Sequence, residues 1–471
     1  MKKFKKLSLT SIMFVSLAFV VSVRNLPMIA DTGMKMFFFG LLAAILFALP
    51  AAFVSAELAT GWPKRGGIYI WVREAFGEKA GFFAIWMQWS YMMISQIAML
   101  YFVAGSLAYV IDPNLAKSRL FLLIVSLIIL WGSTYLNSKG ITLSAKISKI
   151  GFLSGVAFPG VVIITLGIIY WFSNKPIQID LSFTKKSLIP DFSQLSSLVL
   201  LIGFIRSYAG LEASAVHANN VENPKKNYPI AIFAVVLIGF ILFILGSFSV
   251  GSIVPVKDLS LIAGILQAID LFLTDFNLKW FVPVMAILVA IGQTGSIVTW
   301  LMGPVKGVYE SALNGDLPKF FRKTNKAKAP INLLIIQAIS VSIILASLLL
   351  FSQLNIAFFY SVALSIMLYL TMYVLMFIAG IHLRYSQPKV NRKYKVPFKN
   401  IGMWIVASIG IITSLFCIFI SFFPPKELSD KDPKIYMLTL AIFIVVLILL
   451  PILIIKTKKE SWKPKKNEKV E

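Results

Sequence analysis

Apolar stretches long enough to cross a bilayer recur along the whole chain, and a chain built of such segments can fold only with most of its surface in lipid. A crossing helix needs about 20 predominantly apolar residues. The pattern predicts about twelve, at 9–31, 37–57, 81–110, 119–137, 149–172, 196–217, 229–251, 278–302, 331–352, 355–382, 401–422 and 435–455. With 58% hydrophobic and only 14% charged residues, a chain of 471 residues keeps no soluble domain of that size in water. The expectation is an all-α membrane protein with one transmembrane domain over residues 1–471, its partner being the lipid bilayer.

The net charge of +25 sits in short loops and tails, so it reads as a topology signal and not as a nucleic-acid-binding face. An even number of spans puts both termini on one side. The densest basic segments, Lys306 to Lys328, Arg384 to Lys399 and Lys456 to Lys469, lie on that side, which predicts a multi-pass protein of the inner (cytoplasmic) membrane with both termini cytoplasmic. Basic loops of this kind are expected to touch anionic lipid head groups. Lys2, Lys3, Lys5 and Lys6 precede an apolar run as in a signal peptide, but no small-residue cleavage site follows, and the segment is read as a retained span. The single cysteine, Cys417, lies within a span, so no disulfide or cysteine-based metal site is expected. His217 and His382 fall near helix ends, and no set of nucleophile, base or metal ligands gathers near one interface. The chain is therefore read as a non-enzyme without cofactor or metal.

Polar residues and helix breakers inside a span are costly, and they mark backbone that is buried in protein or lines a cavity. In the first span, Arg24-Asn25-Leu26-Pro27 interrupts the apolar run; Pro27 lacks an amide donor and disfavours helical geometry at the residue before it, so the helix is expected to unwind there. In the sixth, Arg206-Ser207-Tyr208-Ala209-Gly210 leads to Glu212 and Ser214. The interruptions correspond if spans 1–5 and 6–10 form two halves, residues 9–172 and 196–382. Five being odd, the halves would be inverted, with a substrate site at the midplane between broken helices. Residues 401–455 would add two helices and 456–471 a basic cytoplasmic tail. Helix N-termini can hold a carboxylate and free carbonyls an ammonium, which suits an amino acid.

The stretch Ser207-Tyr208-Ala209-Gly210-Leu211-Glu212-Ala213-Ser214-Ala215-Val216-His217, followed by Glu222-Asn223-Pro224 and Asn227-Tyr228-Pro229, resembles helix 6 and the next loop of the amino acid–polyamine–organocation transporters, in particular the bacterial glutamate:γ-aminobutyrate antiporters. Ala56-Glu57-Leu58-Ala59-Thr60, Gly66-Gly67-Ile68-Tyr69-Ile70-Trp71-Val72, Met99-Leu100-Tyr101-Phe102-Val103, Trp300-Leu301-Met302-Gly303-Pro304 and Phe422-Phe423-Pro424-Pro425 match in order. The resemblance implies a leucine-transporter-like 5+5 inverted repeat and an amphipathic helix between Pro63 and Gly81. It implies amino acid antiport of glutamate and γ-aminobutyrate or another acidic amino acid, by a monomer or homodimer. The substrate-binding residues it suggests, with the breaks, are Arg24, Asn25, Leu26, Pro27, Arg206, Ser207, Tyr208, Ala209, Gly210, Ser296, Trp300, Tyr369 and Tyr373.

Departures from the pattern shape the expectation. Arg24 and Leu26 stand where the antiporters place tyrosines, Arg206 where they have an aliphatic residue, and Ser296 where they have a glutamate, so the pocket should be more cationic. An arginine in hydrocarbon costs roughly 2.5–3.5 kcal/mol on insertion scales. Arg24 or Arg206 is expected either to receive a substrate carboxylate or to pair with Glu212 or Glu57. Those two carboxylates are also candidates for proton coupling. The subfamily's C-terminal plug is not expected in a chain that stops at Glu471. Proton- or sodium-coupled symport, another acidic or neutral substrate, and a non-transporting sensor on the same fold stay open.

Overall fold

The computed structural model describes residues 7–64, 66–140, 149–215, 221–347, 349, 354–424 and 433–463; His217, one of the two histidines singled out above, lies outside them. Ten helices among these residues are long and apolar enough to cross a membrane. With the shorter apolar helix Ile331–Ser347 and the interrupted segment around Leu201–Ser207, they occupy the places of the twelve expected spans. Strands are absent among the described residues apart from a single bridge between Leu7 and Val221. In chain order the helices are α1 (Leu9–Val20), α2 (Leu26–Ala30), α3 (Lys35–Gly61), α4 (Ile68–Phe76), α5 (Glu78–Ile111), α6 (Arg119–Ser138), α7 (Lys149–Trp171) and α8 (Leu201–Ser207). Then come α9 (Pro224–Ile253), α10 (Gly264–Asp275), α11 (Val282–Leu313), α12 (Ile331–Ser347), α13 (Leu354–Ser386), α14 (Lys399–Ile420) and α15 (Pro433–Lys456). The long helices α5 and α11 pack along each other through the middle, with α13 beside α5.

Both expected breaks are present, but the first is displaced. Its backbone leaves the helix at Val21 and Ser22, both extended, and re-enters through a 3₁₀ turn, Val23–Asn25. Leu26 is helical (φ −58°, ψ −43°) although it precedes proline, and Pro27 sits in the first turn of α2. That is where a missing N–H costs nothing, because the first amides of a helix have no partner within it. Ser22 starts the turn, its Oγ accepting from the Arg24 amide at 3.3 Å. In the sixth crossing α8 stops at Tyr208, and the chain turns through Gly210 at φ +109°.

Prolines elsewhere are absorbed in other ways. In α3 and α7 a π turn (Ala44–Ala48 and Leu153–Ala157) precedes Pro50 and Pro159, giving the ring the room a regular turn denies it. Pro304 does not end the eighth crossing, expected to stop near 302; α11 continues to Leu313. Its backbone meets that of α7 directly: a Cβ on Gly155 or Gly292 would overlap the other chain segment, so both positions must stay glycine for the helices to approach. The amphipathic helix between Pro63 and Gly81 is α4, entered through Gly66 and Gly67, both at positive φ.

At the ends of α3 and α13 the chain is tied by charge. Glu57, 1% exposed, takes Arg384 Nε at 2.8 Å and Nη2 at 2.5 Å, the Val396 amide at 2.7 Å, and Arg392 Nε at 3.3 Å. Arg392 lies over the Trp62 ring, 4.9 Å from its centroid. This corrects two expectations. Glu57 pairs with Arg384 and Arg392, and with neither Arg24 nor Arg206 among the described residues. Arg384 and Arg392, read as part of a lipid-facing basic loop, are buried. Elsewhere Lys458 joins Asp316 at 2.9 Å and Glu78 at 3.1 Å; burial opposes its charge, but the two carboxylates together outweigh that and raise its pKa.

Removing one partner from a buried ionic cluster leaves charge uncompensated and typically costs about 3–5 kcal/mol. Glu57→Gln is therefore expected to lower the thermal unfolding midpoint in detergent by several degrees, measured by tryptophan fluorescence. An unchanged midpoint would contradict a structural role for the cluster.

Candidate substrate site

The two breaks face each other across a small cavity. Its wall combines the last turn of α1 (Ala18, Phe19, Val20), the extended pair Val21 and Ser22, and Arg24 and Asn25. Arg206 and Ala209 come from the sixth crossing, Tyr91, Met92, Ser95 and Met99 from α5, and Gln293, Ser296 and Trp300 from α11. Each side chain is placed by local geometry. The 3₁₀ turn after Ser22 swings Arg24 inward, and Arg206 lies in the last turn of α8, where a cation meets the negative end of the helix dipole.

The electrostatics of the cavity are one-sided. Arg206 is 5% exposed and Arg24 half-buried, and they are close enough to repel each other. The described lining holds no aspartate or glutamate. Nε and Nη1 of Arg24, Nε of Arg206 and Nε2 of Gln293 are buried without a hydrogen-bond partner. Gln293 is oriented by Ser22, whose Oγ donates to Oε1 at 3.0 Å, so its free amide nitrogen remains a donor. Buried polar groups in a folded protein are nearly always bonded, and several orphaned donors on one cavity indicate that an acceptor belongs there.

Beneath this cavity an aromatic bar separates it from a second space. Trp300 donates its indole N–H to the Phe19 carbonyl at 3.1 Å, and the two rings meet edge to face at 5.4 Å. Gly210 passes so near that an added Cβ would lie 2.8 Å from Trp300 Cζ2 and 3.0 Å from Phe19 O. Phe19 and Trp300 also line the second cavity, together with Gln88, Glu212 and the entry to α4 at Gly66, Gly67 and Ile68. Glu212, 2% exposed, receives three donors: Tyr369 Oη at 2.5 Å and Gln88 Nε2 at 2.8 Å on Oε1, and Tyr373 Oη at 2.5 Å on Oε2.

Of the thirteen residues expected to bind substrate, Arg24, Asn25, Arg206, Ala209, Ser296 and Trp300 line the first cavity, whereas Leu26, Pro27, Ser207, Tyr208, Gly210, Tyr369 and Tyr373 do not. Leu26 points away, packing on Gly246 of α9, and Pro27 abuts Gly264 of α10. Tyr208 packs edge-on against Phe243. Ser207 closes a bond to the Gly203 carbonyl at 2.8 Å. Tyr369 reaches the site indirectly, stacking on Tyr91 at 4.0 Å. Among the described residues neither arginine partners Glu212, which accepts from Tyr369, Tyr373 and Gln88. The sequence reading missed Tyr91, Ser95, Met99, Ser22 and Gln293. A signal existed: Tyr91, Ser95 and Met99 repeat at i, i+4, i+8, and Gln293 lies one turn before Ser296 in the middle of an apolar helix.

Comparison with known proteins shows which family the chain resembles. A family model described as amino acid permease matches residues 7–450. A glutamate/gamma-aminobutyrate antiporter of Lactococcus lactis subsp. lactis (strain IL1403) is 38% identical over 457 residues, covering 96% of this chain and 90% of that protein. Its counterpart in Lactococcus lactis subsp. cremoris (strain MG1363) is 39% identical with the same coverage. An uncharacterized transporter of Legionella pneumophila subsp. pneumophila is 36% identical, covering 97% of this chain and 98% of that protein.

The close approach at Gly210 gives a direct check. Gly210→Ala adds a methyl at positive φ against Trp300 and a backbone carbonyl, and strain of this kind costs about 1–3 kcal/mol. A lowered unfolding midpoint together with reduced transport is expected; wild-type values for both would mean that the bar does not depend on this contact.

Proposed function

This chain belongs to the amino acid permease family, and from that premise we propose that it exchanges amino acids across a cytoplasmic membrane and takes an acidic amino acid in its anionic form. The observation that carries the reading is the pair Arg24 and Arg206, with orphaned donors on a cavity whose described lining contains no carboxylate. An acidic amino acid presents two carboxylates and one ammonium. The two guanidinium groups suit the carboxylates, because a planar fork of N–H donors matches carboxylate geometry. The last turn of α1, the negative end of its dipole, suits the ammonium.

Transport would proceed by alternating access, with the halves 9–172 and 196–382 as inverted repeats and the broken crossings rocking as one bundle against the rest. The Trp300–Phe19 bar would be the barrier on the side of α4, and that side would be cytoplasmic, where the basic loops and both termini lie. Residues 401–455 would stand outside the repeats. The two Lactococcus relatives are named glutamate/gamma-aminobutyrate antiporters. Here γ-aminobutyrate, with one carboxylate, would leave a guanidinium unmatched, so a second acidic amino acid is the better counter-substrate. Proton-coupled symport is the second reading, and it draws on Glu212, buried beside the bar where a proton could be held and released.

Losing a hydrogen bond to a charged group costs about 1.5–3 kcal/mol, which is a tenfold or larger change in affinity. Arg24→Leu and Arg206→Leu are each expected to raise the apparent KM for glutamate in proteoliposomes at least tenfold; wild-type KM in both would defeat the anionic reading. The substrate's side-chain carboxylate has an ordinary pKa of about 4.3, so uptake should fall as external pH drops through that value, because the protonated acid no longer matches the second arginine. Uptake that climbs instead as pH falls to 4 would show that the neutral form is carried.

A further inference from the structure

Gln293 is the polar group on the substrate cavity whose position is fixed at both ends, backbone and carboxamide. The residues of α11 before it, Val282 to Gly292, are apolar throughout, and a carboxamide in the middle of such a membrane helix marks a functional position. The side chain is 2% exposed. Its backbone has little freedom, since Gly292 beside it meets Gly155 of α7 without space for a Cβ on either. The carboxamide is held too. Ser22 Oγ accepts the Arg24 amide N–H at 3.3 Å and donates its single hydrogen to Gln293 Oε1 at 3.0 Å. Turned over, the carboxamide would take this acceptor away from that hydrogen. The bonds running from the break in α1 therefore keep the oxygen on Ser22 and leave Nε2, without a partner among the described residues, as the donor Gln293 offers to the cavity.

This neutral donor and the two guanidinium groups select for different properties of a substrate. Coulomb attraction falls only as the inverse of distance, so an arginine still holds a carboxylate that is somewhat displaced. An N–H···O bond tolerates a spread of about 0.5 Å in length and weakens steeply once its angle closes below about 120°. It also serves amide and carboxylate oxygens alike, so it contributes little to a choice between charged and neutral side chains. The arginines thus select for charge, and a rigidly held N–H selects for where an oxygen lies. On the reading that an acidic amino acid occupies the cavity, we propose that Gln293 is a specificity-determining residue that sets the chain length of that amino acid, with Ser22 as its positioning residue.

The test separates the two selections in proteoliposomes preloaded with glutamate. Uptake of labelled glutamate at pH 7 is competed with glutamine, which lacks the second charge, and with α-aminoadipate, which keeps that charge on a side chain one methylene longer. The wild type is expected to prefer glutamate over each by about tenfold or more. Gln293→Leu, an apolar replacement of similar size, should bring the preference over α-aminoadipate below about threefold and leave the preference over glutamine within about twofold of wild type. Ser22→Ala should narrow the length preference in the same way, and Ser22→Thr should restore it. Ser22→Ala added to Gln293→Leu should narrow it no further, which distinguishes positioning from a general effect on the fold. A length preference that persists in Gln293→Leu, or a wild type without one, would overturn the inference. If Gln293→Leu supports no uptake, the Ser22 variants decide: a wild-type length preference in Ser22→Ala overturns it. A wild type that does not prefer glutamate to glutamine would instead overturn the reading on which the inference rests.

Discussion

Two guanidinium groups at membrane depth, with no carboxylate in the described lining of the cavity they face, set the terms for the rest of this structure. Each would cost roughly 2.5–3.5 kcal/mol in hydrocarbon, and their mutual repulsion adds to that. Both face a polar cavity between the broken helices, and on the proposed reading an anion entering it would offset the cost. A carboxylate in the wall would have relieved the strain and removed the site. The two carboxylates expected to pair with the arginines are engaged elsewhere, Glu57 by Arg384 and Arg392, Glu212 by Tyr369, Tyr373 and Gln88.

That separation of charge follows from how the chain breaks. Ser22 interrupts the first crossing five residues before Pro27, so Arg24 rides on a 3₁₀ turn and points into the gap. Gly210, at positive φ, carries the sixth crossing past Trp300 at a distance only glycine allows, and this sends Glu212 below the aromatic bar while Arg206 stays above it. The cationic cavity and the acidic one are thus neighbours along a single path, divided by one indole and one phenyl ring. On the proposed reading, opening a path on that side would require the Trp300–Phe19 hydrogen bond to move, and this would link the barrier to the backbone of α1.

The crossings, their number and the two interruptions were legible because each depends on local chemistry: apolar length, and polar or helix-breaking residues where lipid forbids them. The exact break in the first crossing was not. Pro27 is the conspicuous residue, yet a proline in a first turn terminates nothing, and the decisive residue was the unremarkable Ser22. Arg24, Arg206, Ser296 and Trp300 could be nominated from their placement in spans, but the partners of Glu57 could not, since Arg384 and Arg392 lie more than 300 positions away in a loop that reads as a topology signal. Leu26 and Pro27 were drawn into the site by proximity in sequence, whereas a helix turn directs them to α9 and α10. Tyr91 and Gln293 reach the cavity from α5 and α11, and their role depends on packing that no single segment encodes.

The most direct measurement compares glutamate with glutamine, which share shape and size and differ in one charge. Proteoliposomes preloaded with unlabelled glutamate would take up labelled glutamate at pH 7, with unlabelled glutamine, aspartate or γ-aminobutyrate outside as competitors. Two unpaired arginines predict that uptake requires the internal amino acid, that aspartate competes well, and that glutamine competes at least tenfold more weakly than glutamate. Glutamine competing as well as glutamate, or uptake into empty vesicles at the same rate, would contradict an exchanger whose substrate is held by its second carboxylate.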